Sequence, residues 1–455
     1  MKKTISIANG AGFWGDRPEA PVRLMQKGGF DVLTLEYLAE LTMSILAAQK
    51  KIDPNMGYVK EFPDFIKKIT GLIKKNKKIK FITNAGGLNP LACAKVVSQN
   101  LVNDGIKDLR IGVVFGDDIL GMVPDLVSKK QLKHMDTGMT IDKVAPKIIS
   151  ANVYFGADGI VKCLREGADI VITGRVADAS LTLAPCIDAF NWDPQDFDLM
   201  AAGMIAGHLI ECGAQVSGGN YSGIRNFSLK SPGYPICHMN SDGTFVITKE
   251  KKSDGCISVG TVSEQLIYEI GDPKHYLTPD VDCDFTSVNL KQKSANTVLV
   301  SNCKGRKATD TYKVSIAYDD GYKCSNTLFV YGKQAYLKAK ECYEIICDQI
   351  KQEKILLNNI FVEYLGSGDT LSIPTNKLID SKEIFLRISA SANNKESLVR
   401  FSKLFAPLVT SGPAGVSGYT GGLPKPQKLL GFWPSLLDKK LVSVQTMVKS
   451  AGDLI

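Results

Sequence analysis

The feature that most constrains this fold is a repeated pattern in the amino-terminal half of the chain. Short apolar runs rich in β-branched residues alternate there with segments of helical periodicity. The runs cover residues 4–7, 31–36, 80–83, 109–115 and 168–173. Strands that alternate with helices are typical of α/β domains in which the sheet is mostly parallel. We therefore predict an α/β domain over residues 1–230.

The pattern changes after residue 230. Short strand-like runs are joined there by Asp-Gly turns at residues 242–243, 254–255 and 320–321. Asp-Gly is a favoured hairpin turn because both residues tolerate positive φ. A helical pattern over residues 335–354 and strand-like runs over 360–364 and 384–388 follow. We predict a β-rich α+β domain over residues 231–455, which could pack back on the first domain, with no additional small domain at the carboxyl end.

Charge and cysteine usage narrow the class of function. The 455-residue chain has a net charge of +8, but its lysines occur in solvated runs, without the arginines and interleaved aromatic residues typical of nucleic-acid binding. No apolar run approaches the roughly 18 residues of a membrane span. The eleven cysteines include no C-x-x-C pair, which favours reduced thiols. We expect a cytoplasmic protein that binds neither nucleic acid nor a membrane.

Polar, glycine-rich turns follow the predicted strands of the first domain, at residues 9–12, 84–87, 116–118 and 174–178. The carboxyl ends of parallel strands meet at one edge of a sheet, and glycine lets a backbone approach a ligand closely, so we expect a shared binding site there. For any single turn, glycine and asparagine could serve backbone geometry alone. The candidate ligand-binding residues are Asn9, Gly10, Gly12, Asp16, Glu36, Asn84, Gly86, Gly87, Asn89, Ser180, Gly218 and Gly219.

The first of these turns has the spacing of a dinucleotide-binding loop. Gly10, Gly12 and Gly15 fit G-x-G-x-x-G after a strand, and Glu36 lies where a ribose-binding acid would be expected. Asp16, immediately after the loop, would repel a pyrophosphate. An NAD(P)-linked enzyme is therefore one alternative function.

Two local pairs are the candidate catalytic residues. Arg175 leaves a predicted strand and precedes Asp178 by three positions, so the two could line a site that binds a carboxylate or phosphate. His208 and Glu211 share one face of a predicted helix, so His208 could act as a general acid or base oriented by Glu211. The structural alternatives are an ion pair that caps a helix and a histidine satisfied within the core.

The chain resembles the acyclic terpene utilisation protein A (AtuA) family. The segments that carry the resemblance are 9–16 (NGAGFWGD), 37–44 (YLAELTMS), 83–90 (TNAGGLNP), 173–178 (TGRVAD), 207–215 (GHLIECGAQ), 276–281 (YLTPDV) and 411–413 (SGP). The family is linked to the breakdown of citronellol and geraniol through branched acyl-CoA intermediates. A lyase step on a 3-hydroxy-3-isohexenylglutaryl-CoA has been suggested for it, and many members have a further small domain after this one.

The resemblance implies a lyase that acts on an acyl-CoA or a related branched carboxylate, with coenzyme A as part of the substrate. Such a reaction needs a base for the 3-hydroxyl, for which we consider His208, and donors for the developing oxyanion, for which we consider Asn84 and Arg175. A divalent metal on Asp117 and Asp118 is a further expectation. The alternative is a partner-dependent or non-catalytic subunit that binds a ligand and docks with a separate small AtuA-type carboxyl-terminal domain protein. A homo-oligomer is also compatible with the sequence.

Overall fold

The computed structural model describes residues 3–76, 78–369, 381–418 and 422–455. The strands are β1 (Thr4–Asn9), β2 (Val32–Leu35), β3 (Lys80–Thr83), β4 (Arg110–Phe115), β5 (Ile148–Val153), β6 (Ile170–Thr173), β7 (Pro235–Asn240), β8 (Phe245–Lys249), β9 (Tyr276–Leu277), β10 (Asp282–Asp284), β11 (Asn289–Ser294), β12 (Thr297–Ser301), β13 (Lys304–Arg306), β14 (Thr311–Tyr331), β15 (Asn359–Leu365), β16 (Glu383–Ala392), β17 (Val416–Ser417), β18 (Gln427–Asp438) and β19 (Gln445–Ser450). The helices are α1 (Glu19–Lys27), α2 (Glu40–Ile52), α3 (Glu61–Lys75), α4 (Pro90–Asn103), α5 (Val123–Ser128), α6 (Asp158–Arg165), α7 (Ser180–Phe190), α8 (Phe197–Glu211), α9 (Val259–Leu266), α10 (Ala335–Gln352), α11 (Lys395–Lys403) and α12 (Leu408–Ser411).

A ten-stranded sheet has the strand order β11-β12-β8-β7-β1-β2-β3-β6-β4-β19. Its central strands β1, β2, β3, β6 and β4 are parallel. On one side, β7, β8, β12 and β11 extend it as antiparallel pairs, and on the other side β19 extends it. The parallel strands coincide with the predicted runs, and glycine-rich turns follow several of them. The predicted α/β class is thereby confirmed.

Helices cover both faces of this parallel region. Leu33 and Phe81 belong to a core formed with α1, α3 and α4. Their neighbours in the strands, Val32 and Ile82, point to the opposite face and are also buried. Helices α6, α7 and α8 contact strands of the same sheet. Strands buried on both faces are continuously apolar, which explains the β-branched runs in the sequence.

The chain divides into two units, one of residues up to Ala317 with Phe432–Ile455, the other Tyr318–Gly431. This division does not coincide with a boundary at residue 230. The reason is that β7 pairs with β1, so the chain after residue 230 continues the large sheet. The β-rich texture there reflects antiparallel additions to that sheet.

The second unit has its own core. Its strands β15, β16, β14 and β17 form an antiparallel arrangement, and α10 and α11 contact β16. Alternate residues of β16, such as Leu386 and Ile388, are buried in that core with Phe401.

Each of the eleven cysteines in the protein is a free thiol. Within the described ranges, no helix combines the length and apolar character needed to cross a membrane.

Candidate functional site

Two strand ends are joined by a buried carboxyl–amide pair. Glu36 directly follows β2 and Asn84 directly follows β3, and both are almost completely buried. The amide Nδ2 of Asn84 donates to Oε1 of Glu36, and its Oδ1 accepts from the backbone N–H of Tyr37 at 2.9 Å. The backbone N–H of Leu38 also donates to Oε1 of Glu36, at 2.8 Å. These bonds fix the Glu36 carboxyl at the carboxyl edge of the sheet.

Arg175 connects this pair to the turn after β6. Its Nη1 donates to Oδ1 of Asp178 at 2.7 Å and to the backbone oxygen of Leu38 at 3.0 Å. The same nitrogen lies 4.0 Å from Oε1 of Glu36. The Arg175 side chain is 3% exposed, whereas that of Asp178 is 35% exposed. The guanidinium is therefore buried, and the carboxylate that neutralises it is half-buried.

The carboxyl-terminal end of α8 supplies a second acid–base pair. Nε2 of His208 lies 2.9 Å from the backbone oxygen of Gln265, and because a carbonyl only accepts, this nitrogen carries the hydrogen. Nδ1 of His208 lies 3.3 Å from Oε1 of Glu211. A hydrogen on Nδ1 or on the Glu211 carboxyl group would complete a hydrogen bond across this contact.

Burial and mutual repulsion change the acidity of the carboxyl groups. Burial raises the pKa of Glu36 well above its ordinary value, with Asp178 adding to the effect and Arg175 opposing it. Burial also raises the pKa of Asp178, to about 6, against the stabilising charge of Arg175 and with further repulsion from Glu211 and Glu40. Carboxyl groups with pKa values near neutrality can both give and take protons under physiological conditions.

Three buried polar atoms of this group have no hydrogen-bond partner among the described residues. They are Oε2 of Glu36, Nε of Arg175 and Oε2 of Glu211. Buried polar atoms in native proteins are nearly always paired. Two acceptors and one donor near Asp178 are thus left without a partner among the described residues. We call Glu36, Arg175, Asp178, His208 and Glu211 the carboxyl-edge cluster.

Other predicted site residues support the loops around this cluster. Asn9 links the end of β1 to α8 through a contact of 3.4 Å from its Nδ2 to the backbone oxygen of Glu211. The Asp16 carboxylate closes its own loop by accepting from the backbone N–H groups of Gly12 and Arg17. Asn89 caps α4 and also donates to two backbone carbonyls of the loop before α3.

Ser180 contacts a different carboxyl group. Its hydroxyl donates to Oδ2 of Asp280 at 2.8 Å, and the backbone N–H of Ala157 donates to the other oxygen. Burial raises the pKa of Asp280 to about 6. The hydrogen bond from Ser180 to Asp280 therefore links α7 to the loop before β10.

The predicted ligand-binding glycines approach protein atoms. A Cβ at Gly12 would come within 2.7 Å of the carbonyl carbon of Cys212, and one at Gly86 within 2.5 Å of the oxygen of Thr173. A Cβ would also come close to other atoms of the chain at Gly10, Gly87, Gly218 and Gly219. These glycines therefore allow close packing of turns and helices, which is the structural alternative that the sequence left open.

The carboxylates of Asp117 and Asp118 accept hydrogen bonds from protein groups and are not arranged as ligands of a divalent cation. Oδ2 of Asp117 accepts from Nδ2 of Asn152 at 2.8 Å and from the backbone N–H of Arg175 at 2.9 Å. Asp118 is exposed, and its Oδ1 accepts from the backbone N–H of Leu120. Across the described part of the chain, no three His, Cys, Asp or Glu side chains are grouped as metal ligands.

Three residues next to the cluster carried no functional signal of their own in the sequence. Glu40 accepts from the hydroxyl of Tyr154 at 2.8 Å and from Nζ of Lys313 at 3.1 Å. Burial alone would raise the pKa of Glu40, but Lys313 and these hydrogen bonds lower it to about 2. Glu40 belongs to one of the family segments, whereas no local pattern singles out Tyr154 or Lys313.

The comparisons with known proteins identify a family. The model of the acyclic terpene utilisation family protein AtuA matches residues 5–448. No curated protein and no solved structure matches the chain. The family match supports a role in acyclic terpene utilisation. Since it covers almost the whole chain, the protein belongs to the AtuA family.

Proposed function

We propose that this protein is an enzyme that cleaves a carbon–carbon bond of a branched 3-hydroxyacyl-CoA in acyclic terpene breakdown. The observation that carries the proposal is the carboxyl-edge cluster, in which a buried guanidinium stands among carboxyl groups of raised pKa and unpaired oxygens. The suggested family substrate, 3-hydroxy-3-isohexenylglutaryl-CoA, has a 3-hydroxyl group that a carboxylate could deprotonate and forms an enolate that a guanidinium could stabilise.

The steps of a retro-aldol cleavage determine which groups the active site must supply. A base removes the proton of the 3-hydroxyl, the bond between C2 and C3 breaks, and its electron pair passes into the enolate of the released acetyl group. The C3 carbon becomes a ketone, and an acid then protonates the enolate carbon. The enzyme therefore needs one base, one acid and a donor that stabilises the enolate oxygen.

Glu211 is the proposed base, and His208 is a positioning residue. Both ring nitrogens of His208 face buried protein acceptors, whereas Glu211 keeps one oxygen without a partner in the described structure. This reverses the roles that helical spacing alone suggested for the pair. His208 orients Glu211 through the contact between its Nδ1 and Oε1 of Glu211.

Asp178 is the proposed acid, and Arg175 is the proposed donor to the oxyanion. With a pKa of about 6, a sizeable fraction of Asp178 is protonated just below neutral pH. Nε of Arg175 is the buried donor that no protein group accepts from within the described residues. Asn84, in contrast, has both amide atoms bonded to protein and acts by fixing Glu36.

The test is a cleavage assay on the purified full-length chain. It is incubated with 3-hydroxy-3-isohexenylglutaryl-CoA, with and without Mg²⁺ or Mn²⁺, and the release of acetyl-CoA or acetate with the matching 3-oxo product is followed by mass spectrometry. We expect cleavage that is lost in Arg175→Lys and kept in Arg387→Lys, because Arg387 pairs with Glu363 in the second unit. Absence of cleavage in every condition would overturn the proposal.

Two further arms test the alternatives. Cleavage that appears only after a separate small AtuA-type domain protein is added would favour the partner-dependent subunit. Titration with NAD(P)H, followed by its fluorescence, tests the nicotinamide-linked enzyme. We expect no binding there, because the Asp16 carboxylate occupies the N–H of Gly12 and the backbone of Cys212 packs against that glycine.

A further inference from the structure

Tyr154 lies immediately after β5 and beside the carboxyl-edge cluster. Its side chain is almost fully buried. Its backbone N–H donates to the backbone oxygen of Lys313 at 2.9 Å. This bond ties the residue to β14, so the position of the ring is set by two strands that are distant in the sequence.

The ring of Tyr154 contacts two cations. Cζ of Arg175 lies 4.1 Å from its centroid, and Nζ of Lys313 lies 4.9 Å from it. A guanidinium held against an aromatic face keeps its plane fixed, and the attraction grows when the pair is desolvated. The 3% exposure of Arg175 meets that condition.

The hydroxyl of Tyr154 has a separate function. It donates to Oε1 of Glu40, which also accepts from Lys313. Burial raises the pKa of Tyr154, so the hydroxyl remains a donor at neutral pH. One side chain thus holds Arg175 through its ring and Glu40 through its oxygen.

We infer that Tyr154 is a positioning residue, which holds the Arg175 guanidinium and the Lys313 ammonium against one ring and so fixes the Arg175–Asp178 pair. The effect of Tyr154 on catalysis rests on the proposed function. Its effect on the geometry of the Arg175–Asp178 pair does not. The titratable groups that face Asp178 are Arg175 on its own turn, Glu36 after β2, Glu40 in α2, Glu211 in α8, Cys212 after α8 and Tyr276 in β9. Only Arg175 among them stabilises the ionised form of Asp178.

The experiment follows the ionisation of Asp178 directly. The full-length protein is labelled with ¹³C at the side-chain carboxyl carbon of aspartate, and the signal of Asp178 is the one that disappears in Asp178→Asn. Loss of the aromatic ring in Tyr154→Leu lets Arg175 move away, so the midpoint of this titration should rise by roughly half a pH unit or more. Tyr154→Phe keeps the ring and should shift the midpoint less.

The matched control is Tyr312→Leu. Tyr312 is a partly buried tyrosine that also contacts a cation, since Nζ of Lys439 lies 5.4 Å from its centroid. The cation stacked on Tyr154, Arg175, is not the one at this ring. We expect an unchanged Asp178 midpoint in this variant. If Tyr154→Leu does not fold, Tyr154→Met, which keeps more apolar volume but offers no aromatic face, takes its place with the same expectation.

The cleavage assay gives the second readout. We expect kcat/KM to fall about tenfold in Tyr154→Leu and by less in Tyr154→Phe. An Asp178 midpoint that is the same in wild type and in a folded Tyr154→Leu or Tyr154→Met would overturn the inference. The titration needs no turnover, so a protein that cleaves nothing would refute the proposed function without deciding the role of Tyr154.

Discussion

Asp117 shows how burial sets the chemistry of a single side chain in this protein. Its carboxyl group is 3% exposed and accepts from Asn152 and from the backbone of Arg175. Burial raises its pKa to about 6, although both hydrogen bonds oppose the shift. Desolvation of the charged form therefore outweighs two favourable contacts.

A consequence is expected in the pH dependence of stability. Since the folded pKa of Asp117 lies above its unfolded value, the folded state binds more protons between these two values, and the contribution of Asp117 to stability falls as the pH rises through about 6. Relative to Asp117→Asn, wild type should lose about 1–3 kcal/mol of unfolding free energy between pH 4 and pH 7. Urea unfolding of both proteins at several pH values measures this difference. A constant difference would show that Asp117 is not perturbed.

The sequence indicated two pairs of the site but not their surroundings. Arg175 with Asp178, and His208 with Glu211, are three positions apart, so a turn or a helix brings each pair together. The bonds of Glu40 to Tyr154 and to Lys313 span 114 and 273 positions. Contacts of that separation depend on how sheets are assembled, which no local pattern encodes.

At the scale of elements, helix α8 is positioned by a glycine. A Cβ at Gly207 would lie 2.4 Å from the backbone oxygen of Ala179. The absence of a side chain there lets α8 approach the turn that contains Asp178. This contact brings Glu211 close enough to Asp178 for its charge to raise the pKa of that carboxyl.

Gly207→Ala should therefore destabilise the protein by about 1–3 kcal/mol, because rigid backbone atoms must move apart. Gly71→Ala is the matched control. Gly71 lies within α3, and a Cβ there meets nothing within 4 Å, so the gain in helix propensity should stabilise that variant by about 0.5–1 kcal/mol. Denaturant midpoints of the three proteins give the answer. Equal effects of both substitutions would contradict the packing argument.

The parallel strands were predictable because residues buried on both faces form continuous apolar runs. Strand β5 was not predicted, since the polar residues Ser150 and Asn152 interrupt its apolar character. It pairs with β14, outside the parallel set. A continuous apolar run identifies the central parallel strands, but β5 has no such run and so is not identified by it.

At the scale of the whole molecule, two cores share no residues. The core around Leu33 and Phe81 belongs to the first unit, and the core around Leu386 and Phe401 belongs to the second. Composition predicted a change of texture after residue 230, but hydrogen bonding adds β7 and β8 to the large sheet of the first unit. Pairing partners, unlike strand propensity, are not visible in a single sequence.

Separate cores predict separate responses to a cavity. Phe401 is fully buried, so Phe401→Ala should cost about 3–5 kcal/mol. Hydrogen exchange measured by mass spectrometry should become faster in α10, α11 and β16, and stay unchanged in β1, β2 and β3. Faster exchange throughout the large sheet would show that the two units unfold together.

In the proposed reaction, Glu211 removes the proton of the 3-hydroxyl and so starts bond cleavage. The most direct measurement is single-turnover cleavage of 3-hydroxy-3-isohexenylglutaryl-CoA by wild type, Glu211→Gln and the control Glu264→Gln, whose carboxylate accepts from Ser222 at the surface. General base catalysis is worth about 10²–10⁴ in rate, so we expect a loss of at least about 100-fold in Glu211→Gln and a rate near wild type in Glu264→Gln. A folded Glu211→Gln that cleaves within about twofold of wild type would contradict this role of Glu211.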